Sequence, residues 1–132
     1  MKLALQKPSP IYHLVWQAVR ERQHILFDYN GRSRDACPII LGYSDTGREA
    51  VKAYQVGGHT SQGKLPGWRD FYLDGIDMLH VSTGLWREGT SHEQAQSFVK
   101  LVDVDANIPD TLTRRQPLPF GSPLLRPPRP AD

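Results

Sequence analysis

The dipeptide Asn30-Gly31 narrows the range of folds open to this chain more than any other feature of its sequence. The tight turn that joins two antiparallel strands needs positive φ at both central residues, and Asn followed by Gly suits it best. Residues 25–29 before it alternate with the period of a strand, and a second apolar segment follows at 32–43. The pattern predicts a β-hairpin. Because proline cannot donate a hydrogen bond to a ladder, Pro38 predicts an edge, a bulge or a bend in the second strand.

Three more turn signals divide the following residues into short segments. The turns are expected at 45–47 (Asp-Thr-Gly), 57–58 (Gly-Gly) and 74–75 (Asp-Gly), and the strands at 49–56, 68–73 and 76–81. Together with the hairpin, this makes about five short strands connected in sequence. Such a run points to a small, strongly bent antiparallel sheet or a barrel.

One helix is predicted before the strands, over residues 10–22, after a loose arm at 1–8. Ser9 suits the N-cap and Pro10 the first helical position. The apolar stripe expected to face the core consists of Ile11, Leu14, Val15, Ala18 and Val19, with Trp16 on the flank.

The signals weaken after the fifth strand. Leu85 and Trp86 are expected to pack back onto the sheet. Residues 93–104 allow either a short helix at 93–98 or a last strand at 98–104, and the alternation of apolar residues favours the strand. From Ile108 onward seven of 25 residues are proline, so we expect that tail to be mostly disordered or draped over the domain. The chain is therefore predicted to form one domain over 1–107 and a flexible tail over 108–132.

The charge of the chain gives no general argument for binding a polyanion. The net charge is +2, but residues 1–107 hold 12 basic and 12 acidic residues, and the surplus comes from the tail. Any contact with nucleic acid must therefore come from a local patch.

No apolar run approaches the roughly 18–20 residues that a membrane span needs, and the first residues are too short an apolar run for a signal peptide. The lone Cys37 cannot form an internal disulfide and suits a small buried hydrophobe. We expect a cytoplasmic protein without a membrane contact.

The sequence contains no motif of a known catalytic or cofactor site. It has no phosphate-binding glycine loop, no zinc-protease motif and no nucleophile elbow, and its five histidines lack the spacing of metal ligands. We expect no cofactor, no metal and no enzyme activity.

The candidate site lies around the loop between the predicted third and fourth strands. Gly57 and Gly58 allow close backbone approach to an anion, and several side chains there can donate hydrogen bonds to it: His59, Thr60, Ser61, Lys64 and Arg69. Composition alone favours the alternative of a flexible, solubilising hairpin loop. Arg32 and Arg34 suit either a phosphate-binding pair or the charges of an edge strand. Tyr54 and Trp68, at strand ends near the loop, are expected to line a cavity.

Three segments taken in order resemble bacterial WYL domains over about residues 11–81. These are LVWQAVRER (14–22), ILFDY (25–29) followed by Gly31, Arg34 and Pro38, and WRDFYLDGI (68–76). The Trp-Tyr-Leu triad of the family is missing, the nearest text being VKAY (51–54), and Gly75 stands where the family has a second arginine. The few residues before the helix cannot hold the DNA-binding domain of typical members, so the chain looks like a stand-alone version.

The resemblance implies a mainly β fold, an Sm-like (SH3-like) barrel of about five strands with the N-terminal helix packed on it. It also implies a sensor in transcriptional regulation that binds a negatively charged ligand, single-stranded nucleic acid or a nucleotide, and signals to a partner protein. Arg69 and Arg34 match ligand-facing arginines of the family, and Tyr54 falls near its tyrosine. Their position in or beside the loop adds Gln55, His59, Ser61 and Trp68.

A second hypothesis follows from the missing triad and arginine. The pocket would then be vestigial, and the chain would act as a protein-interaction or dimerisation domain. Small barrels leave strand edges exposed, so a homodimer is also expected.

Overall fold

The computed structural model of the protein describes residues 6–60, 63–87 and 96–128. It contains one helix, α1 (Pro10–Glu21), and six strands of one antiparallel sheet: β1 (His24–Tyr29), β2 (Arg32–Tyr43), β3 (Glu49–Gly58), β4 (Gly67–Tyr72), β5 (Ile76–Ser82) and β6 (Leu101–Asp105). Short 3₁₀ helices lie at Leu73–Gly75 and Pro109–Leu112. The mainly β fold with an N-terminal helix is thereby confirmed.

Helix α1 begins as predicted, with the Ser9 hydroxyl accepting a hydrogen bond from the backbone N–H of Tyr12 at 3.1 Å. Its buried face, however, consists of Tyr12, Val15, Trp16, Ala18 and Val19. Leu14 is 45% exposed, so the predicted stripe was wrong there, and Trp16 lies in the core instead of on the flank. The helix is rotated because the Tyr12 hydroxyl reaches a buried carboxylate of β6, Asp103, at 2.8 Å.

The predicted hairpin is confirmed, with Asn30 at φ 54° and Gly31 at φ 74° between β1 and β2. The register between β2 and β3 shifts after Pro38, so the bulge among the three predicted outcomes is the correct one. Strand β2 is not an edge strand. Strand β3 pairs with one side of it, while β1 and β6 share the other side.

The sheet is open, so of the bent sheet and the barrel that the strand pattern allowed, the bent sheet is correct, and the strands do not close into a barrel. Its pairing order is β4-β3-β2-β1-β5, β6 pairs with β2, and β4 does not pair with β5 within the described residues. Ring contacts connect β4 with β1, two strands that no ladder joins in the described part of the chain. The Phe71 ring of β4 meets Phe27 and Tyr29 of β1 at centroid distances of 5.0 and 4.9 Å. The sheet is therefore strongly curved, with a concave face that these rings help to fill.

Strand β6 confirms the strand alternative for the later residues, although it begins at Leu101 instead of residue 98. The helix alternative covered 93–98, of which 93–95 lie outside the described residues and 96–98 are not helical. Of the two residues expected to pack back onto the sheet, Trp86 packs against the core, whereas Leu85 is 85% exposed. Cys37 is free and buried, as predicted, and burial raises the pKa of its thiol.

Residues 109–128, which we call the strap, lie against β6 and the neighbouring core. The Thr111 side chain is fully buried, and Arg126 exchanges two backbone hydrogen bonds with Val102. Phe120 forms a bridge with Gln6, so the end of the expected loose arm is also attached. Of the two states expected for the tail, this part is draped. No helix in the described ranges is long and apolar enough to cross a membrane.

Candidate anion-binding site

The residues of the predicted site divide between the two faces of the curved sheet. Residues opposite each other in an antiparallel register share a face. Arg34 is opposite Phe27, whose ring contacts Phe71 across the curved sheet, so it belongs to the concave face. Gln55 and Arg69, by the same register argument, also lie there, opposite Ala36 and Ala53. The structure therefore brings Arg34, Gln55 and Arg69 together.

Tyr54 and Trp68 lie on the other, outer face. They are register partners, and their ring centroids are 5.0 Å apart with an interplanar angle of 58°. The Arg87 guanidinium lies 5.8 Å from the Tyr54 ring, and both aromatic side chains are partly buried. They form an aromatic pair on the opposite face from the arginines.

Arg34 is buried without a charged partner. The residue is 7% exposed, its Nη2 donates to the Tyr29 carbonyl at 3.4 Å, and its buried Nε has no hydrogen-bond partner. Its guanidinium carbon lies 6.0 Å from the Tyr29 ring and 5.7 Å from the Phe71 ring. Burial, followed by the charges of Arg32 and Arg69, lowers the pKa of Arg34. No carboxylate in the described part of the chain forms an ion pair with it.

Arg69, which is 8% exposed, also lacks a carboxylate partner among the described residues. Its guanidinium holds the loop that follows β3. Nε donates to Thr60 Oγ1 at 3.0 Å, and Nη2 donates to the Lys64 carbonyl at 3.4 Å. Nη1 donates to the carbonyl of the preceding residue at 2.7 Å. The loop is therefore shaped around one of the two buried cations.

Gln55 organises the start of the same loop. It is fully buried, and its Nε2 donates to the carbonyls of Gly57 and His59 at 2.9 and 2.8 Å. Since both neighbours are acceptors, they fix the orientation of the amide group. Its Oε1 is left without a hydrogen-bond partner, as is Nε of Arg34 on the same face.

Gly58 closes the loop against the β1–β2 hairpin. It has φ +81°, and a Cβ there would lie 2.3 Å from the Ser33 carbonyl oxygen. The next residue, His59, donates its backbone N–H to that oxygen at 2.8 Å, while its side chain is exposed. Of the predicted loop residues, Ser61 lies outside the described residues.

The sequence did not lead us to the Tyr29 and Phe71 rings beside Arg34, or to the hydrogen bond that Thr60 accepts from Arg69. Tyr29 and Phe71 alternate inward along their strands, so their period could have placed them on the concave face. The hairpin register places Tyr29 near Arg34, but no local signal could have shown that the Phe71 ring lies there too, because β4 is adjacent to neither β1 nor β2 in the sheet.

Outside these residues, His24 of β1 contacts Asp35 of β2, with 2.9 Å between Nδ1 and Oδ1. The other ring nitrogen of His24 faces the carbonyl of Leu85, so both ring nitrogens hold backbone or strand groups in place. In the described ranges no three His, Cys, Asp or Glu residues are grouped as metal ligands. What the arrangement can do chemically is bind an anion with two guanidinium groups.

Comparison with known proteins adds no relative to this description. No family model matches the chain, and no curated protein and no solved structure match it either. The resemblance to WYL domains therefore stays a prediction.

Proposed function

We propose that this protein is a ligand-sensing module that binds a negatively charged ligand, nucleic acid or a nucleotide, between Arg34 and Arg69 and signals its presence to a partner protein. The observation that carries the proposal is the buried, unpaired Arg34. A guanidinium removed from water loses hydration that only charge-assisted hydrogen bonds can replace. A bound anion would supply those bonds, so the uncompensated charge is best explained as one half of a binding site.

Gln55 supports a nucleotide as the ligand. Its Oε1 lacks a donor among the described residues, and a nucleotide carries hydroxyl and amino groups that can donate to it. The same face thus offers donors and an acceptor.

The order of the strands also supports the proposed sensor function. Strands β1 to β4 form a strongly curved meander, β5 returns to pair with β1, a helix precedes β1, and β6 with the strap is an addition to this arrangement. We propose an Sm-like arrangement of these five strands, with its concave end as the ligand site.

The test is the fluorescence anisotropy of labelled single-stranded oligonucleotides and of a labelled nucleotide, titrated with the parent protein at several salt concentrations. Affinity should fall with salt, since phosphate contacts release counterions. Arg34→Met and Arg69→Met should each weaken binding by about tenfold or more, because a charge-assisted hydrogen bond is worth at least that much.

Arg115→Met is the matched control. It removes one positive charge at an exposed position of the strap, whose partner β6 pairs with the other half of β2. It should change the affinity by no more than about twofold. If the parent binds nothing at low salt, or if Arg34→Met binds like the parent, the proposal is wrong.

A second candidate function, a protein-interaction or dimerisation domain, is favoured by the edge strand β5. In the described part of the chain β5 pairs only with β1, and it exposes Met78 (71%) and Val81 (40%) beside Leu26 (39%). Unpaired edges with apolar side chains invite pairing with another chain. Sedimentation of the parent and of a Val81→Lys variant tests this, since a dimer formed at β5 should dissociate in the variant.

A further inference from the structure

We infer that the group bound between Arg34 and Arg69 is a terminal phosphate monoester, on a mononucleotide or at the end of a strand, and not a phosphodiester within a strand. This inference rests on the proposed anion-binding function and names the chemical group that the same site would accept.

The charges of the site match a dianion. Two guanidinium groups share the concave face, and no described carboxylate neutralises either of them. Their mutual repulsion contributes to the lowered pKa of Arg34. A phosphate monoester carries about −1.5 to −2 charge near pH 7, whereas a phosphodiester carries a single negative charge. Only the monoester therefore balances both cations.

The free donors of the site match a group with several unsubstituted oxygens. A guanidinium has five N–H donors, and among the described residues Arg34 forms only the bond from Nη2 to the Tyr29 carbonyl. A monoester presents three terminal oxygens and can accept a forked pair of bonds from Arg34 while still facing Arg69. A diester presents two, because its other oxygens are bonded to carbon.

The burial of the site favours a chain end. Arg34 and Arg69 are each more than nine-tenths buried, with ring walls from Tyr29 and Phe71 beside Arg34. Contact between Gly58 and the Ser33 carbonyl closes the adjacent loop onto the hairpin. A phosphodiester would need space for a nucleoside on both of its sides, whereas a terminal phosphate needs it on one side only.

The decisive experiment compares a nucleoside 5′-monophosphate with the 3′,5′-cyclic monophosphate of the same base, by isothermal titration calorimetry. The two ligands share base and sugar and differ in monoester against diester. The monoester should bind about tenfold more tightly or better, because a charge-assisted hydrogen bond is worth at least that factor. Arg34→Met should remove the difference. Equal affinity for the two ligands would overturn the inference.

A second set of binding measurements distinguishes a free mononucleotide from the end of a strand as the source of the phosphate monoester. One oligonucleotide sequence is compared with a 5′-phosphate, a 3′-phosphate and with hydroxyls at both ends, against inorganic phosphate as the smallest probe. Tight binding of a phosphorylated end identifies the strand, and tight binding of the mononucleotide alone identifies the free nucleotide. Oligonucleotides that bind equally with and without terminal phosphate, and lose affinity in Arg34→Met, would overturn this inference and leave the proposed function standing. No binding of any probe would overturn both.

Discussion

Two buried polar clusters in this protein differ in whether their charges find partners within the chain. Around Asp103, which is 0% exposed, Oδ2 accepts hydrogen bonds from the Tyr12 hydroxyl at 2.8 Å and from the Leu118 N–H at 2.9 Å. Arg114 Nη1 lies 3.6 Å from Oδ1 and donates to the Asp103 carbonyl at 2.8 Å. Arg34, buried almost as deeply, has one long hydrogen bond and no counter-charge in the described part of the chain.

Under the proposed function, the difference separates a structural polar cluster from a ligand-binding one. The Asp103 cluster joins α1, β6 and the strap, and Tyr43 extends it by donating its hydroxyl to the Leu118 carbonyl at 2.7 Å. Its hydrogen bonds and its contact with Arg114 form inside the fold, although the buried Oδ1 itself accepts no hydrogen bond from the described residues. The Arg34 cluster leaves donors that the described residues do not satisfy, and under the proposed function a bound anion would satisfy them. Four measurements test this contrast.

The largest effect is expected for Asp103→Ala. The change leaves the Tyr12 hydroxyl and the Leu118 N–H without their acceptor and removes the partner of Arg114. Breaking such a buried cluster should lower the free energy of unfolding by about 3–5 kcal/mol, as measured by urea denaturation. Asp110→Ala, at an exposed position of the strap, is the control and should cost no more than about 0.5 kcal/mol. A cost for Asp103→Ala below about 1 kcal/mol would show that the cluster does not hold the strap.

Arg34→Met should act in the opposite direction. Methionine fills similar space without a charge, so removing an unpaired buried cation should leave stability unchanged or raise it, by roughly 1 kcal/mol or more. Urea denaturation of the ligand-free protein measures this. A loss of more than about 2 kcal/mol would mean that Arg34 holds the fold together, and the contrast with Asp103 would fail.

Tyr43→Phe should have a smaller effect. It removes the hydroxyl that binds the Leu118 carbonyl and keeps the ring, whose centroid stacks 5.1 Å from that of Tyr12. The loss should be about 1 kcal/mol, the usual net value of one hydrogen bond. Limited proteolysis should cut the strap faster in this variant. Unchanged stability and cleavage would mean that Asp103 alone secures Leu118.

The smallest effect is a pH dependence centred on Asp103. Burial raises the pKa of its carboxyl above the ordinary value of 3.8, although hydrogen bonds from Leu118 and Tyr12 and the charge of Arg114 oppose the rise. The folded chain thus holds this proton more tightly than the unfolded chain, and the ionised carboxylate costs stability above the raised pKa. As pH falls through that value towards 3.8, the cost disappears.

The Asp103→Asn variant lacks this titration and serves as the reference. The stability of the parent relative to the variant should therefore decrease as pH rises from about 4 to about 7. Urea denaturation of both proteins across this range measures the gap. A gap that widens with rising pH would show that the hydrogen bonds to Asp103 outweigh its burial.

The sequence predicted the local elements well because their signals are local. The Asn30-Gly31 turn, the Ser9 cap and the bulge at Pro38 each follow from the conformations open to one or two residues. The inward turn of Tyr12 could not be predicted, because its partner Asp103 lies 91 residues further along the chain. The predicted stripe of α1 is therefore correct for Val15, Ala18 and Val19 but includes the exposed Leu14 and leaves out Tyr12 and Trp16.

For the candidate site, the sequence indicated which residue types lie near the loop after the third strand. Only the tertiary structure showed which of them share a face of the sheet. Tyr54 and Gln55 are adjacent in sequence but point to opposite faces, because side chains alternate along a strand. A register shift between β2 and β3 places Arg34 opposite Gly58 and not Gly57. Such pairings depend on contacts across the sheet.

The sequence alone predicts a helix followed by short antiparallel strands, with arginines and amides near the loop after the third strand. The openness of the sheet, the completion of the core by residues of the strap, and the position of Arg34 and Arg69 on one buried face, where no described carboxylate pairs with them, follow only from the tertiary structure. The physical reason is the separation along the sequence over which each kind of interaction acts. Turn and cap preferences act between neighbours, whereas curvature, register and charge balance arise only when strands distant in sequence come together.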